Sequence, residues 1–522
     1  MTFRLHLFFL FLPLYLAGQV LIRDSAPNAY LLEREAVAKG EIDPYFAGRI
    51  SYEWRVAMPD GSNDLLFSAR GDSWLRNDRL KIFPELGGAL YLNGGNLKRQ
   101  GSYADLFPAL TLTARYLFPL LGRTGILFWG RFEKHSVLTR ERVSGLAYDF
   151  SRQKEVGKVR FPAEDSTWVE YDIGDAGVLI FYPGGSVTVA KANPVWGTGY
   201  AGNLWLSDKP PSFAFVSFRH RFSPKWTLSF VHGTLNSGLP DSTYSGSLAV
   251  GDQGINLPLV KKFVVAHRLD FHPVPPIRLA FGESVIYGGR GRELQYLLPL
   301  ISYWTAQHDL NDTDNLQWMI DAEIIRKGMG RLYGSLYMDE WDLMDTFNRK
   351  KSRNWWAYQI GLTGDLSSLI AQGSLFRVEF THLSPYVYVH ENRLNTFDHY
   401  GHTLGFWSGP NSDNLFVALE GTVKRGWWVQ LYGQRTRRGE VTDDSIARQY
   451  SHLKVPFLDR SYDGPPETRI LVGVRGELSL TTWFRTEFDL FSDDWNNRLK
   501  PGTGERGTSS KIDGFIGFSV GF

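Results

Sequence analysis

The last dozen residues of the chain are written two at a time. Reading back from the end, Phe522, Val520, Phe518, Ile516 and Ile512 are apolar. Between them stand Gly521, Ser519, Gly517 and Asp513, with Phe515 the one large exception. Successive side chains of a strand point to opposite faces, so this stretch predicts one continuous apolar face and one small or polar face. Such a strand suits a wall between lipid and a wet lumen. An amphipathic strand of a soluble sandwich alternates in the same way, so one strand leaves the two architectures about even.

The alternation recurs along the chain. Phe263, Val265, Leu269 and Phe271 alternate with Val264, Arg268, Asp270 and His272; after the turn at residues 273–276, Ile277, Leu279 and Phe281 alternate with Arg278, Ala280 and Gly282. Leu415, Val417, Leu419 and Val423 oppose Phe416, Ala418, Glu420 and Lys424, and Trp427, Val429 and Leu431 oppose Trp428, Gln430, Tyr432 and Gln434. Ile470, Val472, Val474 and Leu478 oppose Gly473, Arg475 and Glu477, and Phe484, Phe488 and Leu490 oppose Arg485, Glu487 and Asp489. Short turns (Ser223-Pro224-Lys225, Lys424-Arg425-Gly426) take turns with long polar loops at residues 236–256, 435–463 and 493–510. Short turns on one rim and long loops on the other are the mark of a membrane barrel. The 17 Trp and 24 Tyr suit aromatic girdles at the two interfaces.

The expected fold is therefore all-β, a large transmembrane antiparallel β-barrel over residues 86–522. At roughly two dozen residues per strand and connection it has about 18 strands, an even number as in bacterial single-chain barrels. Its predicted inner face carries Arg377, Glu379, Glu420, Lys424, Arg475, Glu477, Arg485, Glu487 and Asp489. Both signs on one face favour an ion-paired, crowded lumen over an open charge-selective pore.

Two stretches precede the barrel. Arg4 and His6 lead an apolar run from Leu7 to Leu16 that ends on the small Ala17 and Gly18. That is the pattern of a secretory signal peptide, residues 1–18, and the run is shorter than the ~20 residues a spanning helix needs. Residues 19–85 are expected to form a small N-terminal periplasmic or plug element. Residues 28–39 are good helix formers, and Gly40 follows as a stop. After the signal no run of eighteen apolar residues occurs, so the remainder is expected to span only by strands, in the outer membrane. Fifty-seven Lys and Arg against 55 Asp and Glu leave a net charge of +2, which excludes a grossly basic nucleic-acid surface. The chain has no cysteine, which excludes disulfides, thiolate zinc sites and cysteine nucleophiles.

Three segments invite chemistry. His135 and Ser136 are adjacent, so in a strand they face opposite ways and cannot pair as base and nucleophile; no catalytic residue is assigned. Residues 308–315 hold three carboxylates and two amides, a density of hard oxygens that could take Ca²⁺, but without a central Gly and terminal Glu at calcium-loop spacing; no metal or cofactor is assigned. The most unusual stretch is residues 193–211, with three Gly, two Trp and a Pro pair. Its Trp196, Tyr200, Asn203, Trp205 and Asp208 combine aromatic faces for the C–H side of a pyranose with amide and carboxylate groups for its hydroxyls. These five are the candidate polysaccharide-binding residues. The competing reading is a lumen-folded constriction or plug whose aromatics simply pack.

This stretch also resembles the Wzi-like capsule-assembly outer-membrane proteins, through Trp196-Gly197-Thr198-Gly199, Gly202-Asn203-Leu204, Leu206-Ser207-Asp208 and Pro210-Pro211. Thr198 stands where relatives often carry Pro. Further patches are Ser223–Trp226, His267–Leu269, Gly282–Gly288, Asp314-Asn315, Leu332–Glu340 and Gly409–Asp413. The resemblance implies a barrel of about eighteen strands with a small helical N-terminal element. It also implies a non-enzymatic, lectin-like role in holding capsular polysaccharide or exopolysaccharide at the cell surface. The expected partners are that polysaccharide and outer-membrane lipids, with no nucleic acid and a monomeric state. The basic clusters Arg349-Lys350-Lys351-Arg353 and Arg435-Arg437-Arg438 could attract an acidic glycan. The alternative is an outer-membrane channel for small or hydrophobic solutes.

Overall fold

The computed structural model describes Val37, Lys39 and residues 80–93, 103–119, 121, 124–139, 167–244, 249–251, 254–340, 355–424, 426–442, 445–447, 466–481, 484–499 and 505–521. The signal-peptide stretch and the Arg349–Arg353 basic cluster lie outside the described residues. No helix among the described residues is long and apolar enough to cross a membrane. The spanning elements are strands.

Eighteen strands form one antiparallel sheet, running from Leu80–Asn93 to Arg506–Gly521. Each barrel strand pairs with the next, and the last pairs back onto the first with Gly87 opposite Gly521 and Leu90 opposite Phe518. The sheet thus closes on itself, so no edge strand is left with unpaired backbone groups. The chain is a transmembrane β-barrel, with its first strand starting at Leu80, six residues before the boundary expected. An even strand number returns the chain to the rim where it began. Both ends of the barrel therefore sit with the short turns.

Burial separates the two faces as the alternation requires. Along Asn315–Arg326, Asp321 and Glu323 are buried, while Ile320 and Ile324 are exposed. Leu269, Phe281, Ile360, Leu431, Val472 and Leu490 are likewise exposed on the outer face, where acyl chains rather than water meet them. The inward Arg377, Glu379, Glu420 and Asp489 are buried. Arg377 is ion-paired to Glu420, and Arg485 Nε lies 3.0 Å from Glu477. A charge inside such a wall persists only when paired or hydrogen-bonded, and the mixed signs meet that need.

All three expected long loops are shorter than read from the sequence, the strand Trp427–Arg438 taking the first four residues of 435–463. The strands Phe484–Leu499 and Arg506–Gly521 absorb most of residues 493–510, and Trp226–Pro240 absorbs the start of residues 236–256. Polar residues on the outer face at these strand ends, such as Ser492 and Asp494, are strand residues near the long-loop rim. Polarity there marks the upper edge of the lipid belt, not the end of the strand.

Of the expected N-terminal helix, Val37 and Lys39 are described, and both are helical. Val37 is buried against Ile325, and its carbonyl accepts the Gly328 N–H at 3.0 Å. Ile325 faces inward beside the short turn between Arg326 and Gly330. This helical turn therefore docks inside the short-turn rim.

Candidate functional site

Two long connections do not stay above the rim. Residues 193–212, between Gly185–Ala192 and Phe213–Ser223, and residues 384–411, between Leu375–Leu383 and Ser412–Lys424, both fold into the lumen. Their apolar side chains form one core with the inner wall: Leu204, Trp205, Leu206, Tyr388, Phe397, Leu404 and Phe406 pack with Val264, Ile286, Met319 and Tyr337. The first loop holds its own shape near the rim, where Trp196 and Leu206 exchange backbone hydrogen bonds of 2.9 and 3.2 Å. It is tied to the second loop by the Ser207 N–H, which donates to Leu404 O at 2.8 Å. The Tyr388 hydroxyl donates to Leu204 O, and Trp407 Nε1 donates to Ala201 O at 3.1 Å.

The tip of the first loop rests on charged wall residues. The Glu379 carboxylate accepts the backbone N–H of Tyr200 at 2.6 Å and of Ala201 at 3.0 Å, and the Gln359 amide at 3.0 Å. Gln359 also donates to Gly202 O at 3.0 Å. The Arg377 guanidinium lies 4.0 Å from the centre of the Tyr200 ring, a cation–π contact, while Gln430 donates to the Tyr200 hydroxyl at 2.8 Å. Burial pushes the Tyr200 phenol up, with the Glu420 charge adding to the effect. Arg331 donates to Thr198 O at 3.1 Å, and the Thr198 and Ser335 hydroxyls are 2.7 Å apart. Gly199 has no room for a side chain, since a Cβ there would lie 1.9 Å from Gly202 O. The close turn at the tip thus explains one glycine of the unusual stretch, and the Trp205 ring explains the distant Gly282. A Cβ on Gly282 would lie 2.2 Å from the Trp205 ring.

The five candidate residues fall into two groups. Trp205, Asn203 and Tyr200 are 1%, 3% and 7% exposed. Trp205 Nε1 donates to Ser284 at 3.0 Å and Asn203 accepts the Gly199 N–H at 3.1 Å, so these three hold the loop in place. Trp196 and Asp208 are half-buried, on the two legs of the loop close to where it leaves the strands. The three deep residues pack and hydrogen-bond within the lumen, while Trp196, packed against the same core, and Asp208 keep more exposure. The second loop was not singled out beforehand except for Gly409–Asp413. Its density of aromatics, Tyr386, Tyr388, Phe397, Phe406 and Trp407, was the available signal. Burial lowers the basicity of His390 and His402 on this loop, and His399 Nδ1 accepts the Asn236 N–H at 2.8 Å.

His135 faces the lumen, buried, with Nδ1 2.8 Å from Asp105 and Nε2 3.3 Å from Glu133. It is stacked between Phe107 and Tyr171 at centroid distances of 4.0 and 4.3 Å. Ser136 lies on the other face of the same strand, paired across to Glu170. Asp314, in the acidic stretch 308–315, is engaged by Arg290 at 2.6 and 2.9 Å and by Tyr296 at 2.7 Å. Arg437 of the second basic cluster makes a two-pronged bond to Asp413 at 2.6 and 2.9 Å.

No family model matches the sequence, and no curated protein matches it. The fold is similar to solved outer-membrane β-barrels. One is Wzi of Escherichia coli, described as a carbohydrate-binding β-barrel involved in group 1 capsule assembly. It has a TM-score of 0.48 at 11% identity, over 83% of this chain and 84% of that one. Another is OccAB2 of Acinetobacter baumannii, with a TM-score of 0.47 at 10% identity over 87% and 99% of the two chains. A third is OpdK of Pseudomonas aeruginosa, solved with vanillate, with a TM-score of 0.46 at 9% identity over 85% and 98%. The architecture given above rests on the strand pairing of this chain, not on these likenesses.

Proposed function

We propose that this barrel is a non-enzymatic outer-membrane anchor that binds surface polysaccharide at its outer mouth and assists capsule or exopolysaccharide attachment. The observation that carries this reading is the interlocking of residues 193–212 with residues 384–411 inside the lumen. Loops packed around Trp205, Tyr388 and Phe406 make a floor across this side of the barrel. Trp196 and Tyr386, packed half-buried against that floor, and the half-buried Asp208 are the aromatic and polar groups left partly open. A repeating polymer compensates for weak single contacts by multivalency. The Wzi-like patches in the sequence support a glycan over a small solute. His135, clamped between two carboxylates and two rings away from Ser136, supports the absence of hydrolytic chemistry.

The test is deletion of the gene followed by measurement of cell-bound against shed polysaccharide. Increased shedding, restored by the intact gene and not by a Trp196→Ala, Asp208→Ala variant, is expected. Unchanged retention removes the proposal and leaves the barrel standing. The channel reading draws on one observation: Arg475, Glu477, Arg485, Glu487 and Lys511 face inward and are only half-buried. Large steady currents from the purified chain in planar bilayers would favour it.

A further inference from the structure

The connection between Ile277–Gly288 and Asn315–Arg326, residues 289–314, takes a different course from the other two. It contains a short helix, α1, at Tyr303–Asp309. Strand register shows that it lies against the outside of the wall. Leu269, Phe281 and Ile320 are cross-strand neighbours on the lipid-facing side, between 38% and 48% exposed. Two residues nearer the rim, His267, Glu283 and Trp318 point the same way, followed by Val265 with Val285 and by Phe263 with Tyr287. Yet Phe263, Val265, Val285 and Tyr287 are fully buried, beneath Tyr296, Tyr303 and Ala306 of the connection.

The covering has an electrostatic reason. Glu283 on a bare lipid-facing wall would be an unpaired anion in hydrocarbon, which is costly. The connection supplies donors to it: the Tyr303 N–H at 2.6 Å and the Ser302 hydroxyl at 3.4 Å, beside Trp318 Nε1 at 3.0 Å. His267 lies 3.3 Å from Glu283 and stacks on Tyr303 at 4.2 Å. Arg290 near one end and Tyr296 further along both bind Asp314 at the other, which pins the connection closed.

The side turned away from the wall is apolar. Leu294, Leu298, Leu300 and Trp304 are 78%, 56%, 77% and 51% exposed. Past Trp304 the exposed side chains become His308, Asp309, Asn311 and Asp312. Ser302 and Tyr303 at Glu283 set Leu300 and Trp304 just above the greasy belt of Phe281 and Ile320, whereas Tyr296, against Tyr287 and bonded to Asp314, sets Leu294 nearer the rim. The connection turns polar as it climbs back to Asp314, so its apolar residues lie on the acyl side and its polar ones toward the headgroups.

We propose that residues 289–314 form a membrane-seated apron, with outer-leaflet acyl chains covering Leu298, Leu300 and Trp304 and the polar residues 308–312 on the headgroup side. The absence of native cysteine lets one position be labelled at a time. Leu298→Cys and Leu300→Cys, with Phe281→Cys as belt reference and Asn311→Cys as aqueous reference, would carry an environment-sensitive fluorophore on the full chain. The chain is reconstituted in phosphatidylcholine vesicles with plain or mid-chain-brominated lipid. Labels at 298 and 300 are expected to lose at least half their emission in brominated lipid, as at 281, and to ignore aqueous iodide. The label at 311 should do the reverse. Iodide quenching at 300 equal to that at 311, with brominated lipid without effect, overturns the proposal. So does a label shielded from both quenchers in a chain that cross-links to a second copy through position 300.

Discussion

If the loop tip is held by wall charges, removing one of them should free it. Glu379 is the point to strike, because its buried carboxylate accepts the Tyr200 and Ala201 N–H groups and also the Gln359 amide. In Glu379→Ala both backbone donors lose a charged acceptor inside a dry site. Hydrogen bonds to charged groups contribute about 1.5–3 kcal/mol each, and removing one member of a buried charged set costs about 3–5 kcal/mol. The docked loop is then destabilised by about 3–5 kcal/mol relative to the undocked one. At about 1.4 kcal/mol per factor of ten, the undocked population rises by roughly two to three and a half orders of magnitude. The readout is the maleimide labelling rate of Thr198→Cys, a buried position on the tip in a chain with no other cysteine. The rate should rise at least a hundredfold in Glu379→Ala. Glu487→Ala, on a half-buried inward carboxylate of another strand, should leave the rate unchanged. A less than tenfold rise in a variant that still migrates as a folded barrel would refute the account of how the tip is held.

Trp205→Ala empties a fully buried site between the loop and the wall, a change that typically costs about 3–5 kcal/mol; the tip cysteine should again react faster, while heat-induced unfolding of the barrel shifts less than for a wall residue. Gly282→Ala should act in the same direction, since its new methyl group meets the Trp205 ring. Acid should loosen the second loop. His390 and His402 are held below the ordinary histidine value by burial, so the undocked loop binds protons more readily than the docked one. Docking is fully stable above about pH 6.5 and weakens as the pH falls through that value toward the lower docked values. Proteolysis within residues 384–411 should be faster at pH 5 than at pH 7.5, and a His390→Gln, His402→Gln variant should flatten the difference.

The faces of the wall were legible because a strand writes them locally. Leu415 outward and Glu420 inward follow from a two-residue period that nothing distant can alter. Strand ends were less legible. Ser492 and Asp494 are polar because they stand near the rim, and the same letters would spell a loop. The surroundings of a face were not legible at all. Phe263 and Val265 belong to the outer face, as their period says, but Tyr296 and Tyr303 cover them, and no local pattern announces that. The five candidates in residues 193–211 illustrate the same limit. Whether an aromatic there greets a sugar or packs depends on Tyr388, Leu404 and Phe406, nearly two hundred positions further on.

The charged inner wall and the loop it carries are best understood as one folding unit. Glu379 sits beside Arg377, yet two of its acceptor positions are filled by backbone N–H groups of the loop. Arg377 pairs with Glu420, yet its planar face is covered by the Tyr200 ring. Arg331 answers Glu323 within the wall and still donates to Thr198 O. Neither partner is satisfied alone: a barrel without the loop would leave this layer short of partners, and a loop without the layer would leave its tip amides unbonded. Such mutual dependence makes partial withdrawal the costliest state, because it desolvates or strands charges without rehydrating them. Opening, if a ligand drives it, should therefore proceed as release of the whole tip from Thr198 to Gly202, not as a graded widening of the lumen.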